Sequence, residues 1–333
     1  MTAWVVDHPG PVSTHPLTAV EREVPRPPPG QLAVAVEACG VCRTDLHLME
    51  GDLRPHRPQT TPGHQVVGRV VATGTGTTRF AAGDRVGVAW LRSTCGECRW
   101  CRSGRENLCP ASTYTGWDAD GGLAEQLLVP AAYAYRLPEE PPAVQLAPLL
   151  CAGIIGYRAL VRTRLPAGGR LGIFGFGSSA HLTAQVAQAQ GAELFAASRS
   201  SRDRQLALRL GASWAGGAAD TPPVPLDAAI VFAPAGELVP VALRSVTRGG
   251  TVVLAGIYMT RIPAMDYGEH LFLERDLRSV TSNTRRDGEE LLRLATRLQV
   301  QAEVTTYAFD AADEALADLA AGRVTGSAVV TVP

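Results

Sequence analysis

Lysine never occurs in this chain of 333 residues; apart from seven histidines, every basic residue is an arginine. That excludes a Schiff-base lysine and a P-loop lysine. Acidic and basic residues nearly balance, 32 against 31, and no basic block stands out. Nucleic acid is therefore not an expected partner. No apolar run reaches about eighteen residues, so no membrane span is expected. The opening "MTAWVVDHPG" has no basic stretch followed by an apolar core, which is unlike a secretory signal and leads us to expect a cytoplasmic protein. Aromatic residues are few, 6%, yet 46% of the chain is hydrophobic, enough for a sizeable core. The length exceeds what one core usually supports, so two domains are expected.

The first 150 residues read as many short strands. "QLAVAVEACG", "GHQVVGRVVATG" and "GDRVGVAW" are bounded by Gly, Pro and Asp. Past residue 168 the rhythm changes. "RLGIF" reads as a strand, "AHLTAQVAQAQG" as a helix, "AELFAAS" as a strand and "RDRQLALRLGA" as a helix; "LDAAIVFA" and "TVVLAGI" continue the alternation. Strand–helix repeats with buried strands predict an α/β fold with a parallel doubly wound sheet. The tail, "YAFDAADEALADLAAGRVTGSAVVTVP", reads as one amphipathic helix followed by a strand.

Of seven cysteines, four stand in one short segment as C-x2-C-x2-C-x7-C: Cys95, Cys98, Cys101 and Cys109. Short loops let four thiolates turn to a common centre about 2.3 Å away, a closed tetrahedral zinc shell and hence a structural site. An iron–sulfur cluster also takes four cysteines, but the long last spacer departs from the ferredoxin-like run. The remaining three, Cys39, Cys42 and Cys151, share no local spacing with one another or with His64. From composition alone, Cys42 and Cys151 read as core thiols and His64 as a surface histidine.

"GIFGFGSSAH" sets Gly175, Gly177 and Ala180 as G-x-G-x-x-A between a strand and a helix, with Ser178 in the turn as a further cofactor-binding candidate. Gly175 permits a tight turn, Gly177 lets backbone approach a pyrophosphate, and the helix N-terminus faces the phosphates. At the end of the second strand, where an acidic residue would bind the ribose hydroxyl of NAD, the chain has Ser198 and Arg199, with Arg202 and Arg204 close by. A hydroxyl and guanidinium groups suit a 2′-phosphate, so NADP(H) is expected over NAD(H).

Taken in order, "GVCRTDLH", "PGH", "GDRVGV", the cysteine segment, "LCAG", the glycine turn and "GRVTGSAVV" resemble the zinc-dependent medium-chain alcohol dehydrogenases along essentially the whole chain. The resemblance implies a GroES-like catalytic domain at 1–152 with a structural zinc lobe at 93–110, a Rossmann domain at 153–282, and a segment at 283–333 that returns to the catalytic domain. It implies a catalytic zinc held by Cys42, His64 and Cys151, and so two Zn²⁺ per chain, with Cys39 left as a packed thiol. It implies a proton relay through Thr44 and His47, with Asp45 fixing the His64 tautomer and Arg43 near the cofactor pyrophosphate. The "SRSS" stretch is similar to NADP-dependent cinnamyl-type members. Trp90 matches a bulky pocket wall, with Leu53 and Trp117 as weaker candidates. Such a pocket suits aliphatic or aromatic alcohols and aldehydes.

The implied activity is hydride transfer between an alcohol, or its aldehyde or ketone, and NADP(H). A zinc-free quinone-reductase-like enzyme and a non-catalytic zinc-binding module are the alternatives. Three positions depart from the family pattern: Gln65 for a Glu, Ile155 for a Thr and Ser327 for an Arg. Assembly as a homodimer or homotetramer is expected, with "TVVLAGI", taken as the end of the nucleotide sheet, pairing between subunits.

Overall fold

The computed structural model describes residues 1–333. The chain divides into two units. The first comprises Met1–Cys151, Ser282–Leu292 and Ala302–Pro333, and the second Ala152–Thr281 and Arg293–Gln301. Residues 293–301 thus belong with the second unit, while the rest of the tail belongs with the first.

The first unit is built on a seven-stranded sheet around the long strand Gln31–Val41. That strand pairs antiparallel with Gln65–Thr73, Gln126–Pro130 and Ser327–Thr331. Its alternation of Leu, Val and Ala places Leu32, Val34 and Val36 in one core with Val66, Val86 and Leu127. Val304–Ala308 adds to the sheet parallel to Ser327–Thr331. This strand is absent from the reading of the tail as one helix and a strand. "VTTYA" is β-branched and aromatic and pairs as a strand, and the helix begins only at Ala312.

The second unit is a six-stranded sheet in which every pair is parallel. In space the order is Trp214–Gly216, Glu193–Ala197, Arg170–Phe174, Leu226–Val231, Val246–Leu254, Asp276–Ser279. Counted along the chain this is 3-2-1-4-5-6, the doubly wound order whose reversal lies beside its first strand. Helices Ser178–Ala189 and Ser201–Arg209 follow the first two strands. The expectation that "TVVLAGI" ends this sheet is corrected: Val246–Leu254 is flanked on both sides, and the edge strand is Asp276–Ser279. "DLRS" is too short and polar to announce itself by hydrophobic pattern. No single helix is long and apolar enough to cross a membrane.

Leu32 is fully buried at the centre of the first sheet. Leu32→Ala is expected to destabilise the first unit by about 2–5 kcal/mol, read as a lowered denaturant midpoint.

Candidate active site

Helix Arg43–Glu50 starts at Cys42, whose extended backbone makes it the N-cap. Cys42 Sγ accepts the N–H of Thr44 at 3.4 Å. Asp45 folds its carboxylate back to accept the Cys42 N–H at 2.9 Å. Its other oxygen accepts the Gly63 N–H at 2.9 Å and lies 3.2 Å from His64 Nδ1, an ion-pair distance without hydrogen-bond alignment. One carboxylate therefore ties the helix carrying Cys42 to the loop carrying His64. Gly63 makes that loop possible. It adopts φ +98°, and a Cβ there would stand 2.6 Å from Cys39 Sγ and 2.8 Å from the Leu123 nitrogen.

The ligand-capable atoms of Cys42, His64 and Cys151 lie within 4.8 Å of one another. His64 Nε2 is 3.4 Å from Cys42 Sγ. A tetrahedral zinc with usual Zn–S and Zn–N lengths sets sulfur and nitrogen about 3.6 Å apart, so the donor set fits that ion. The electrostatics agree. A hydrogen bond from Cys151 leads the effects that lower the Cys42 thiol to about 5, against burial and with help from His64. Cys151 is pushed well up, first because its proton serves Cys42 and then by burial. Burial opposes charge on His64, yet Asp45 and Cys42 outweigh it and push the imidazole up to about 10. The pocket is organised to balance a buried positive charge.

In the cysteine lobe, the sulfur separations are 3.6 Å for Cys98–Cys101, 3.6 Å for Cys95–Cys109 and 3.9 Å for Cys95–Cys101. Four thiolates on one tetrahedral zinc sit about 3.8 Å from each other, so these donors also fit. The Cys98 N–H donates to Cys95 Sγ and leads the effects that lower that thiol to about 7, whereas burial pushes Cys109 up to about 11 against the Cys95 N–H it accepts. The lobe is anchored by buried Glu106. Its carboxylate accepts the Arg285 backbone N–H at 2.8 Å and pairs with the guanidinium at 2.7 Å, while Arg285 lies over the Tyr133 ring.

Around the triad, Thr44 is buried and His47 Nδ1 lies 3.0 Å from Asp52. Trp90 meets the His64 ring edge-on at 4.8 Å between centroids. It stacks with Tyr114 and with Trp117, and His56 stacks on Trp117 in turn. Tyr114 and His56 were not legible in the sequence. Tyr114 arrives through the pairing of Leu91–Ser93 with Thr113–Tyr114, and the only local signal was its place three residues before Trp117. Leu53 sits in the turn after the helix, its N–H on the His47 carbonyl. Arg43 is exposed. Cys39 is fully buried, its thiol raised chiefly by burial. Gln65 is buried beside Gly40 with its carbonyl oxygen unpartnered; a Glu there would bring an additional negative charge into this interior.

In the second unit, Gly175 follows the first strand and Gly177 is the N-cap of Ser178–Ala189. No side chain caps this helix, and a Cβ on Gly177 would meet nothing within 4 Å. The open space and uncapped N–H groups fit a pyrophosphate. Ser198 is buried and donates its hydroxyl to Asp203 at 3.0 Å, an acidic neighbour that was not singled out from the sequence. Arg204 is spent on the Ser198 and Arg199 carbonyls, whereas the Arg199 and Arg202 side chains are exposed. Ile155 lies on helix Ala152–Thr163. Ser327, in the first unit, is buried at the start of its strand.

Residues 28–139 match the family model of the alcohol dehydrogenase GroES-like domain, and residues 180–297 that of zinc-binding dehydrogenases. The chain is 57% identical to a probable alcohol dehydrogenase, AdhA, of Mycobacterium tuberculosis, over 100% of this chain and 97% of that one. It is 35% identical to an alcohol dehydrogenase of Geobacillus stearothermophilus, over 93% and 94%. Among solved structures it resembles a cinnamyl alcohol dehydrogenase of Sorghum bicolor (TM-score 0.90, 27% identity, 99% of this chain and 97% of that chain). It also resembles a zinc-binding dehydrogenase of Sinorhizobium meliloti bound to NADP (TM-score 0.88, 28% identity, 99% and 98%). A cobalt- and zinc-bound alcohol dehydrogenase of Pyrobaculum aerophilum matches equally well (TM-score 0.90, 25% identity, 99% and 99%).

Burial acts to raise the Glu106 carboxyl, but Arg285 outweighs it and holds the group below its ordinary range. A depressed folded-state value means the pair stabilises the fold above the unfolded carboxyl value of about 4.3 and ceases to as pH falls through the folded value. Denaturant melts of wild type and Glu106→Gln are expected to differ at pH 7 and to converge on acidification below about pH 4.

Proposed function

The chain belongs to the zinc-dependent medium-chain alcohol dehydrogenase family, and we propose that it is a two-zinc alcohol dehydrogenase and aldehyde reductase that prefers NADP(H). One observation carries the reading: Cys42, His64 and Cys151, far apart in sequence, converge on one point at ligand spacing. Cys95, Cys98, Cys101 and Cys109 would hold the second, structural ion. Cys42, His64 and Cys151 would hold the catalytic ion through two sulfurs and one imidazole nitrogen. Zinc bound there supplies a Lewis acid that acidifies an alcohol hydroxyl near neutral pH and polarises a carbonyl in the reverse direction.

The chain's own residues do the rest. Asp45 orients His64 and keeps Nε2 turned to the triad. The Thr44 hydroxyl holds the substrate hydroxyl and takes its proton onward to His47, whose imidazole can accept a proton at one nitrogen and release one at the other. NADP⁺ held by the second unit would supply the hydride acceptor, so that alcohol and NADP⁺ would give carbonyl, NADPH and H⁺. Trp90 meets His64 edge-on and stacks with Tyr114 and Trp117, an aromatic group that would favour aromatic and medium-length aliphatic substrates. Leu53 is a further candidate for the pocket wall.

Gly175, Gly177 and Ser178 would hold the pyrophosphate. Ser198, with exposed Arg199, would meet the 2′-phosphate; the NADP bound to the Sinorhizobium meliloti relative supports this. Assembly as a dimer or tetramer and a reducing, cytoplasmic setting, which seven free cysteines suit, complete the reading.

Two measurements test it. Metal analysis should give two zincs per chain for wild type. For Cys151→Ser it should give one, with benzaldehyde reduction by NADPH lost and the fold retained; retained turnover would remove Cys151 from the ligand set. In parallel, kcat/KM for NADPH should exceed that for NADH. Arg199→Ala should narrow the gap about tenfold, the loss of one charge-assisted contact. A native preference for NADH would overturn the Ser198 and Arg199 assignment.

A further inference from the structure

In the second unit, strand Glu193–Ala197 ends against the glycine turn, where the Gly175 N–H donates to the Ala197 carbonyl at 2.7 Å. Ser198 follows directly. It is buried, with its own N–H on the Gly216 carbonyl at 3.1 Å. Its hydroxyl is already committed, because Ser198 Oγ donates to Asp203 Oδ2 at 3.0 Å. The start of helix Ser201–Arg209 holds Asp203 there: Ser200 is the N-cap, and its Oγ accepts the Asp203 N–H at 3.3 Å. Burial pushes the Asp203 carboxyl above its ordinary value, although Ser198, Ser200 and Arg204 favour the ionised form. Arg204 is turned to the chain, its Nη1 donating to the Ser198 and Arg199 carbonyls at 2.8 and 2.9 Å. The segment that offers exposed Arg199 and Arg202 to an anion therefore also carries an acid.

We propose that Asp203 is a specificity-determining residue that holds the preference for NADP(H) over NAD(H) below what Ser198 and the exposed arginines would otherwise give. The inference rests on the reading of Ser198 and Arg199 as the 2′-phosphate site. A hydroxyl has a single proton, and an ionised carboxylate only accepts hydrogen bonds. The proton between Ser198 and Asp203 is therefore the serine's, and the serine oxygen shows a phosphate only lone pairs. The carboxylate also sets a like charge beside the phosphate. A ribose 2′-OH meets neither obstacle, since it is neutral and can itself donate. Asp203 thus penalises the phosphorylated cofactor alone, while Arg199 and Arg202 pull the other way. An amide in place of the carboxylate removes the charge. It can also turn its NH2 to the Ser198 oxygen, which returns the hydroxyl proton to the phosphate.

Calorimetric titration of the zinc-loaded enzyme with adenosine 2′,5′-bisphosphate and with adenosine 5′-monophosphate separates the phosphate contact from hydride chemistry. Wild type should bind the bisphosphate more tightly. Asp203→Asn should widen that margin about tenfold, the scale of removing one like charge at a half-buried site. The ratio of kcat/KM for NADPH to that for NADH should widen with it. Ser198→Ala should cost bisphosphate affinity about threefold more in the Asp203→Asn background than in wild type, because only there is the hydroxyl proton free. If the bisphosphate is preferred and Asp203→Asn leaves the margin at the wild-type value, the Asp203 role is refuted and the phosphate site stands. If wild type prefers the monophosphate and Asp203→Asn weakens its binding, Asp203 is the acid that reads the ribose, and the phosphate site and this role fail together. Should Asp203→Asn not fold, Asp203→Ser is titrated in its place against the same expectations.

Discussion

The buried carboxylate of Asp45 is the joint on which the site depends. It accepts the N–H of the N-cap of one helix and the N–H of the glycine before His64, and sets its charge against the inner side of the His64 ring. A charged group with almost no solvent contact persists only when such partners surround it. Burial works against its ionised form, but the His64 charge and the two backbone N–H groups hold it below the ordinary carboxylate range. Without it the helix and the loop would have no common reference, and the two thiols would face an unanchored ring.

The same logic of balanced charge recurs across the first unit. Glu106 fastens the cysteine lobe to Arg285 through backbone and side chain together, and Arg85 pairs with Glu37 while bonding carbonyls of the 138–141 loop. With no lysine available, every such anchor is a guanidinium. Its planar fork can serve several acceptors at once, which one ammonium point charge does less well. The arginine-only composition is thereby visible in the architecture as well as in the amino-acid count.

What the sequence made legible follows the range of the interactions. The four-cysteine run and the glycine turn act through neighbours, so their spacing was enough. The triad unites segments with no local relation, and only the ordered resemblance to a family brought Cys42, His64 and Cys151 to notice together. Tyr114 and His56 reach the Trp90 stack through tertiary packing, which leaves no periodicity to read. The edge strand Asp276–Ser279 is four residues of mostly polar character, and Val304–Ala308 lies directly before a stronger helical pattern that masked it. Asp203 and Asp52 stayed hidden because each is a surface acid until a serine or a histidine is folded against it.

The central strand Gln31–Val41 has one of its partners, Ser327–Thr331, at the far end of the chain. During synthesis the first is made well before the second. The sheet around the triad therefore cannot close until Ser327–Thr331 has emerged. The strands of the second sheet, confined to residues 170–279, are all available well before that. A nascent chain would thus have every strand of the second sheet while the first sheet still has an open edge, and that edge is where a chaperone has the most to protect.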